Sequence, residues 1–212
     1  MVLLIMLTDC SSSSPADFGC SLADFVSKYL SPPTVAIVAT VLFSLWSPIG
    51  LGSLGPVLSI VFSFLLFAFF PFLPVIYFYK KKTVDLYVSK REERLPFLLY
   101  ALVSYLSAAI LFFFTDTTIL FLLALGYVSV TAVLIIVNQF SKVSIHCAGV
   151  TGPIFALVFV FGIEIIPISV IIILVCWSRI KLKNHTLTQT LAGTLIALTI
   201  GLIEYNLLYP IN

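Results

Sequence analysis

Residues 29–79, YLSPPTVAIVATVLFSLWSPIGLGSLGPVLSIVFSFLLFAFFPFLPVIYFY, contain no Asp, Glu, Lys, Arg or His. One membrane crossing takes roughly 20 apolar residues, so this stretch has the length of two. In hydrocarbon every backbone N–H and C=O must be paired within its own segment, and a continuous apolar run does this as helix. A β-barrel strand alternates apolar and polar positions, which this run does not. Gly50, Gly52, Gly55 and Pro56 break it near the middle, where a turn between two spans belongs. Pro32-Pro33 stands ahead of the first span, a position that suits a helix start.

The pattern continues through the chain. Further apolar runs bring the expected spans to seven, at about 33–52, 54–79, 97–114, 118–140, 145–162, 164–178 and 186–207. Of the 212 residues 61% are hydrophobic and 9% charged, with a mean hydropathy of +1.19. A soluble domain carries about 25% charged residues, so the composition excludes an ordinary water-soluble fold. The expected fold is all-α: a polytopic transmembrane helical bundle of six or seven spans. Residues 1–32, with the serine run at 11–14 and Pro15, read as a flexible N-terminal leader, and 33–212 as one transmembrane domain. Cys147 and Cys176 read as packed thiols, whereas Cys10 and Cys20 would pair only in an oxidising compartment. The four cysteines show no metal-ligand spacing.

Alternating crossings put residues 1–32, 80–96, 141–145 and 179–185 on one side of the membrane. All eleven basic residues fall there, and the opposite side holds Asp116, Glu164 and Glu204 as loop or helix-end residues. The positive-inside rule would make the basic side cytoplasmic, a bias that is weaker but still present when Arg94, Lys142 and Arg179 are set aside as site residues; the orientation stays open. Lys80, Lys81 and Lys82 read as a topology signal, and Lys181 and Lys183 as anchors in anionic lipid.

Three polar clusters share that side. The first is Asp85-Leu-Tyr-Val-Ser-Lys90-Arg91-Glu-Glu-Arg94-Leu-Pro96. The second is Lys142-Val-Ser144-Ile-His146-Cys-Ala-Gly149. The third is Ser178-Arg179-Ile-Lys-Leu-Lys-Asn-His185-Thr-Leu-Thr-Gln189. The two histidines of the chain fall in the second and third, each at an expected helix start. Guanidinium groups bind phosphate oxygens bidentately. One imidazole can attack phosphorus while a second protonates the leaving oxygen. Helix starts offer unpaired N–H groups to an anion, and Ser144 can cap its helix or donate to a phosphate oxygen. His185 and Gln189 lie four apart, hence on one helical face, so the Gln189 oxygen can accept from one ring nitrogen and leave the other free.

These clusters resemble the type 2 phosphatidic acid phosphatase superfamily, the lipid phosphate phosphatases, over roughly residues 80–195. The family's third motif is Ser-Arg, five residues, His, three residues, Asp; here Gln189 stands in place of the Asp. Its second motif is Pro-Ser-Gly-His, of which Ser144 and His146 are present. Its first motif is Lys, six residues, Arg-Pro; here Tyr87 takes the lysine's place and Leu95 separates Arg94 from Pro96. The combination resembles a prokaryotic integral-membrane branch of the family. The resemblance implies a lipid phosphatase-like domain over 33–212 with its active site at one membrane face. It implies a phosphoric monoester or diphosphate hydrolase, with His185 as nucleophile forming a phosphohistidine and His146 as general acid. Arg94, Arg179 and Ser144 would bind the phosphoryl group, with Lys90 or Arg91 standing in for the missing lysine. Asp85 is a candidate substitute carboxylate and Lys142 a further candidate cation. No metal or other cofactor is implied. The expected partner is a membrane lipid phosphate or isoprenoid diphosphate, not nucleic acid, and the expected location is a prokaryotic plasma membrane.

Two other classes compete. A transporter should carry mid-span charge or broken helices, and mid-span charge is not expected here. A catalytically degenerate lipid-binding member of the same family would fit the Gln189 and Tyr87 substitutions.

Overall fold

The computed structural model describes Cys10 and residues 18–85 and 87–209, and these are helical wherever they are regular. Helix α1 is Phe18–Tyr29 and α2 is Pro32–Trp46. Helix α3 is Gly55–Lys80. It is followed by α4, Arg94–Phe114, which a single 3-10 turn at Arg91–Glu93 introduces. Helices α5, Thr118–Asn138, and α6, Ile145–Phe161, come next. A 3-10 stretch at Ile163–Ser169 leads into α7, Val170–Lys181, and α8 is Leu187–Leu208.

Among the described residues five helices are long and apolar enough to cross a membrane: 55–80, 91–114, 118–138, 163–181 and 187–208. A sixth is reached when α1 and α2, bent by 52°, are taken as one. Helix α6 is apolar and has 17 residues, about 26 Å at 1.5 Å per residue. The protein is a multi-pass helical membrane protein. Residues 18–29, expected as part of a leader, form a helix instead. That helix buries Gly19, Ala23, Val26 and Ser27 on one face and lies against α7. Cys10 and Cys20 form a disulfide that fastens the preceding chain to α1; the rest of the expected leader, 1–9 and 11–17, lies outside the described residues.

Apolar side chains gain little by leaving lipid for one another, so membrane helices associate through close packing. Accordingly Ala36 and Ala39 of α2, Ala108 of α4, Ala124 of α5 and Ala156 of α6 are buried where helices meet, with Phe43 and Phe112 filling the space between them. Helices α4 and α5 form a hairpin, and α8 lies against both α5 and α6. The thiols of Cys147 and Cys176 lie 3.3 Å apart between α6 and α7.

Pro71 and Pro74 lie inside α3 and bring no N–H to its ladder. Just ahead of them the helix passes through a π-turn at Phe64–Phe69, where Ser104 of α4 donates to the Leu66 carbonyl at 2.7 Å. This widened segment forms one wall of a cavity.

On the face away from the basic residues, Gly52 has a positive φ of 57°. A side-chain carbon there would collide with the Thr115 carbonyl. Glycine lets the two far-side loops interlock, with Ser53 N–H donating to Thr115 O at 2.9 Å. Glu204 does not end its helix as expected. Helix α8 continues another turn, so Glu204 is buried within it, and a side-chain carbon at Gly126 of α5 would sit 3.4 Å from its carboxylate.

Candidate active site

The first cluster is shaped by Asp85. Its carboxylate accepts from Tyr87 N–H at 2.8 Å, Ser89 N–H at 2.9 Å and Ser89 Oγ at 3.0 Å. Burial pushes this carboxyl up, but the hydrogen bonds from Ser89 and Tyr87 outweigh it and hold it below the usual carboxylate value. Both oxygens are committed to their own loop, so Asp85 is a loop organiser and not a substitute partner for a histidine. The loop holds Val88 at a φ of 44°, a strained place for a β-branched residue. It stays there because its carbonyl accepts from Arg94 Nε at 2.9 Å.

Arg94 joins the first cluster to the second. It is buried, and Nη1 donates to the Val143 carbonyl at 3.0 Å. The proposed substitutes for the missing lysine point elsewhere. Lys90 is exposed and paired with Glu93 at 3.0 Å. Arg91 donates to the Gln139 carbonyl at 3.1 Å and pairs with Glu92 at 3.5 Å. Tyr87, at the lysine's own spacing, turns inward instead. Its ring lies 4.6 Å from the Arg179 guanidinium carbon and 5.6 Å, edge to face, from His146. Lys142 faces Arg94 and Arg179; burial first, then their charge, holds its ammonium below the ordinary lysine value.

Ser144 caps α6, its Oγ accepting from Cys147 N–H at 3.3 Å, while its own N–H donates to the Gln189 carbonyl at 3.1 Å. A side-chain carbon at Gly193 would collide with the Ser144 carbonyl. Glycine is therefore what allows the α6 start to lie on α8 beside His185. His146, in the first turn of α6, is within electrostatic range of Arg179, His185 and Arg94.

The third cluster completes the site. His185 is buried, and its N–H donates to the Arg179 carbonyl at 3.2 Å. Its Nδ1 lies 3.0 Å from Gln189 Oε1. That oxygen also accepts from Thr186 N–H at 3.2 Å, within a capping box at the start of α8. The backbone donor fixes which end of the amide faces this way, and an acceptor at Nδ1 requires Nδ1 to carry the proton. The His185 lone pair is then on Nε2. Burial first, then the charges of Arg94 and Arg179, pushes the His185 pKa down to about 4, so the ring is neutral at pH 7.

Tyr87, Arg94 and His146 form the polar end of a cavity of about 480 Å³. Ser27, Lys28, Ser31 and Thr34, around the bend between α1 and α2, line it as well, and the remaining walls are largely apolar or aromatic, among them Phe67, Phe72, Leu98 and Tyr105. Among the described residues no three His, Cys, Asp or Glu side chains converge as a metal site. Arg94, Lys142, Ser144, His146, Arg179, His185 and Gln189 therefore gather in one place, and Asp85, Lys90 and Arg91 serve the neighbouring loop. Ser27, which accepts from Arg179 Nη1 at 2.7 Å, carried no sequence signal beyond lying on the small-residue face of α1.

No family model matches the chain, and neither the curated proteins nor the solved structures give a match.

Proposed function

We propose that this protein is a metal-independent integral-membrane phosphatase that hydrolyses a lipid phosphate or polyprenyl diphosphate, in a prokaryotic plasma membrane. The observation that carries it is His185: Gln189 holds its Nδ1, the ring is neutral, and the charges of the buried Arg94 and Arg179 act on it, while Arg94 and His146 line the neighbouring cavity. The motif resemblance, in order along the chain, supports the same roles.

In this mechanism the lipid slides in from the bilayer, its apolar chain along the cavity and its phosphoryl group between Arg94 and Arg179. The lone pair of Nε2 forms a bond to phosphorus as the bond to the leaving oxygen breaks. His146 gives that oxygen its proton. Water then attacks the phosphohistidine, its proton returns to His146, and inorganic phosphate departs. Arg94, Arg179 and the Ser144 hydroxyl offset the charge gathering on the equatorial oxygens. Gln189 orients the ring but, unlike a carboxylate, does not neutralise the Nδ1 side once it becomes cationic.

The test is phosphate release by purified protein from phosphatidic acid, a phosphatidylglycerol-phosphate-type lipid and a polyprenyl diphosphate, in excess chelator. Release from at least one is expected. Folded protein that is inert on all three sinks the proposal and favours a carrier, for which the buried Glu204 in α8 would be the natural ionisable site.

A carboxylate in place of Gln189 should retain or raise turnover. Gln189→Glu keeps the reach that serves both Nδ1 and Thr186 N–H, and Gln189→Asp supplies the family's charge with a shorter arm. Turnover of Gln189→Glu at or above that of the unmodified protein is the expected result. A folded but inactive Gln189→Glu would show that Gln189 does not serve the nucleophile.

A further inference from the structure

Helix α1 lies outside the region that carries the motifs, yet it reaches the centre of the site. Its buried face, Gly19, Ala23, Val26 and Ser27, lies on α7, and its last turn, before the 52° bend into α2, meets Arg179 through Ser27. Ser27 is fully buried and accepts from Arg179 Nη1 at 2.7 Å. Arg179 Nε, also buried, has no hydrogen-bond partner.

The shape of a guanidinium gives this pairing a meaning. Nε–H and Nη2–H lie along one edge of the plane, the edge that grips two oxygens of a phosphate, while Nη1 turns back toward the side-chain stem. Ser27 takes Nη1. Tyr87 covers the face of the plane at 4.6 Å. On the remaining edge the buried Nε–H is left without a partner. A buried charged donor without an acceptor is costly, and an anion seated against this edge relieves that cost.

Resting on the phosphatase reading above, we propose that Ser27 is a positioning residue: it fixes the rotation of the Arg179 guanidinium so that its Nε edge meets the phosphoryl group, which makes the N-terminal helix part of the active site. The partner of that edge is a tetrahedral or trigonal-bipyramidal oxyanion. Orthovanadate, which adopts the five-coordinate geometry of phosphoryl transfer, is the probe.

Ser27→Ala should lower kcat/KM for the lipid phosphate about tenfold and weaken orthovanadate affinity by a similar factor, in line with a hydrogen bond to a charged group. Ser27→Thr, which keeps the hydroxyl, should restore both. In an Arg179→Ala background Ser27→Ala should cost nothing further, because a residue acting through another has no effect once that other is gone. Unchanged kinetics and vanadate affinity in Ser27→Ala overturn the proposal. So does an equal loss in both backgrounds, which marks a structural role for α1 alone. An unmodified protein that neither releases phosphate nor binds vanadate removes the phosphatase reading and this proposal with it, whereas an active, vanadate-binding protein indifferent to Ser27 removes only this one.

Discussion

If the protein is the phosphatase proposed, phosphate release should fall on the order of 10⁴-fold or more when His185 is replaced by alanine, and the protein should stay folded. Both halves follow from the same contacts. The ring supplies the only Nε2 lone pair that is oriented by Gln189, so its removal takes away the covalent route entirely. The backbone loses nothing, because the bond to the Arg179 carbonyl comes from His185 N–H, and the α8 capping box is made by Thr186 and Gln189. A cavity the size of an imidazole opens at the edge of the site, where water can fill it. The measurement pairs chelator-resistant phosphate release with thermal unfolding in detergent, and adds a rapid quench to look for acid-labile phosphoprotein. His185→Ala should show neither release nor phosphoprotein at a nearly unchanged unfolding temperature. Release within tenfold of the unmodified protein would remove His185 as the nucleophile, whatever the rest of the site does.

Much of this arrangement was legible before any coordinates, because the bilayer makes sequence unusually explicit. Uncharged runs located α3, α4, α5, α6 and α8 within three residues, whereas α2 stops at Trp46 instead of 52 and the sixth span opens as a 3-10 stretch, with α7 starting only at Val170. Four-residue helical spacing pairs His185 with Gln189, but His185 lies ahead of α8, and the contact is made by Gln189 reaching back from the capping box that opens the helix. The misreadings have local causes. The third span is expected from residue 97, yet α4 begins at Arg94, whose Nε and Nη1 donate to the Val88 and Val143 carbonyls and leave Nη2 for a ligand. Helix α1 went unseen because it is short and carries Asp24 and Lys28; the face buried at Gly19, Ala23, Val26 and Ser27 was its only signal. Its contact with Arg179 joins residues 152 positions apart, and no local pattern encodes that. Lys90 and Arg91 were proposed as phosphate ligands from proximity in sequence, but each has an acidic neighbour on its own turn. Charge counting put the site face in the cytoplasm. Arg91, Arg94 and Arg179, however, are engaged with carbonyls and a hydroxyl. The asymmetry of charge is in part the site's own.

The role of His146 is separable from that of His185 by the choice of leaving group. The alkoxide of a lipid phosphate monoester leaves phosphorus only with a proton, whereas nitrophenolate leaves without one. His146→Gln should therefore lower turnover of a lipid phosphate by about 10²–10⁴-fold and turnover of p-nitrophenyl phosphate far less. The substitution is conservative in the fold. His146 sits in the first turn of α6, half-buried, touching Tyr87 through ring edges, and the cap of that helix is made by Ser144 and Cys147. Glutamine keeps the length and a polar end but brings no titratable proton. An equal loss on both substrates would mean that His146 holds Tyr87 and Arg179 in place and protonates nothing. Loss confined to the lipid phosphate would fix the proton donor on the cavity side of the phosphoryl group, opposite the Nε2 of His185, which is the geometry an in-line displacement requires.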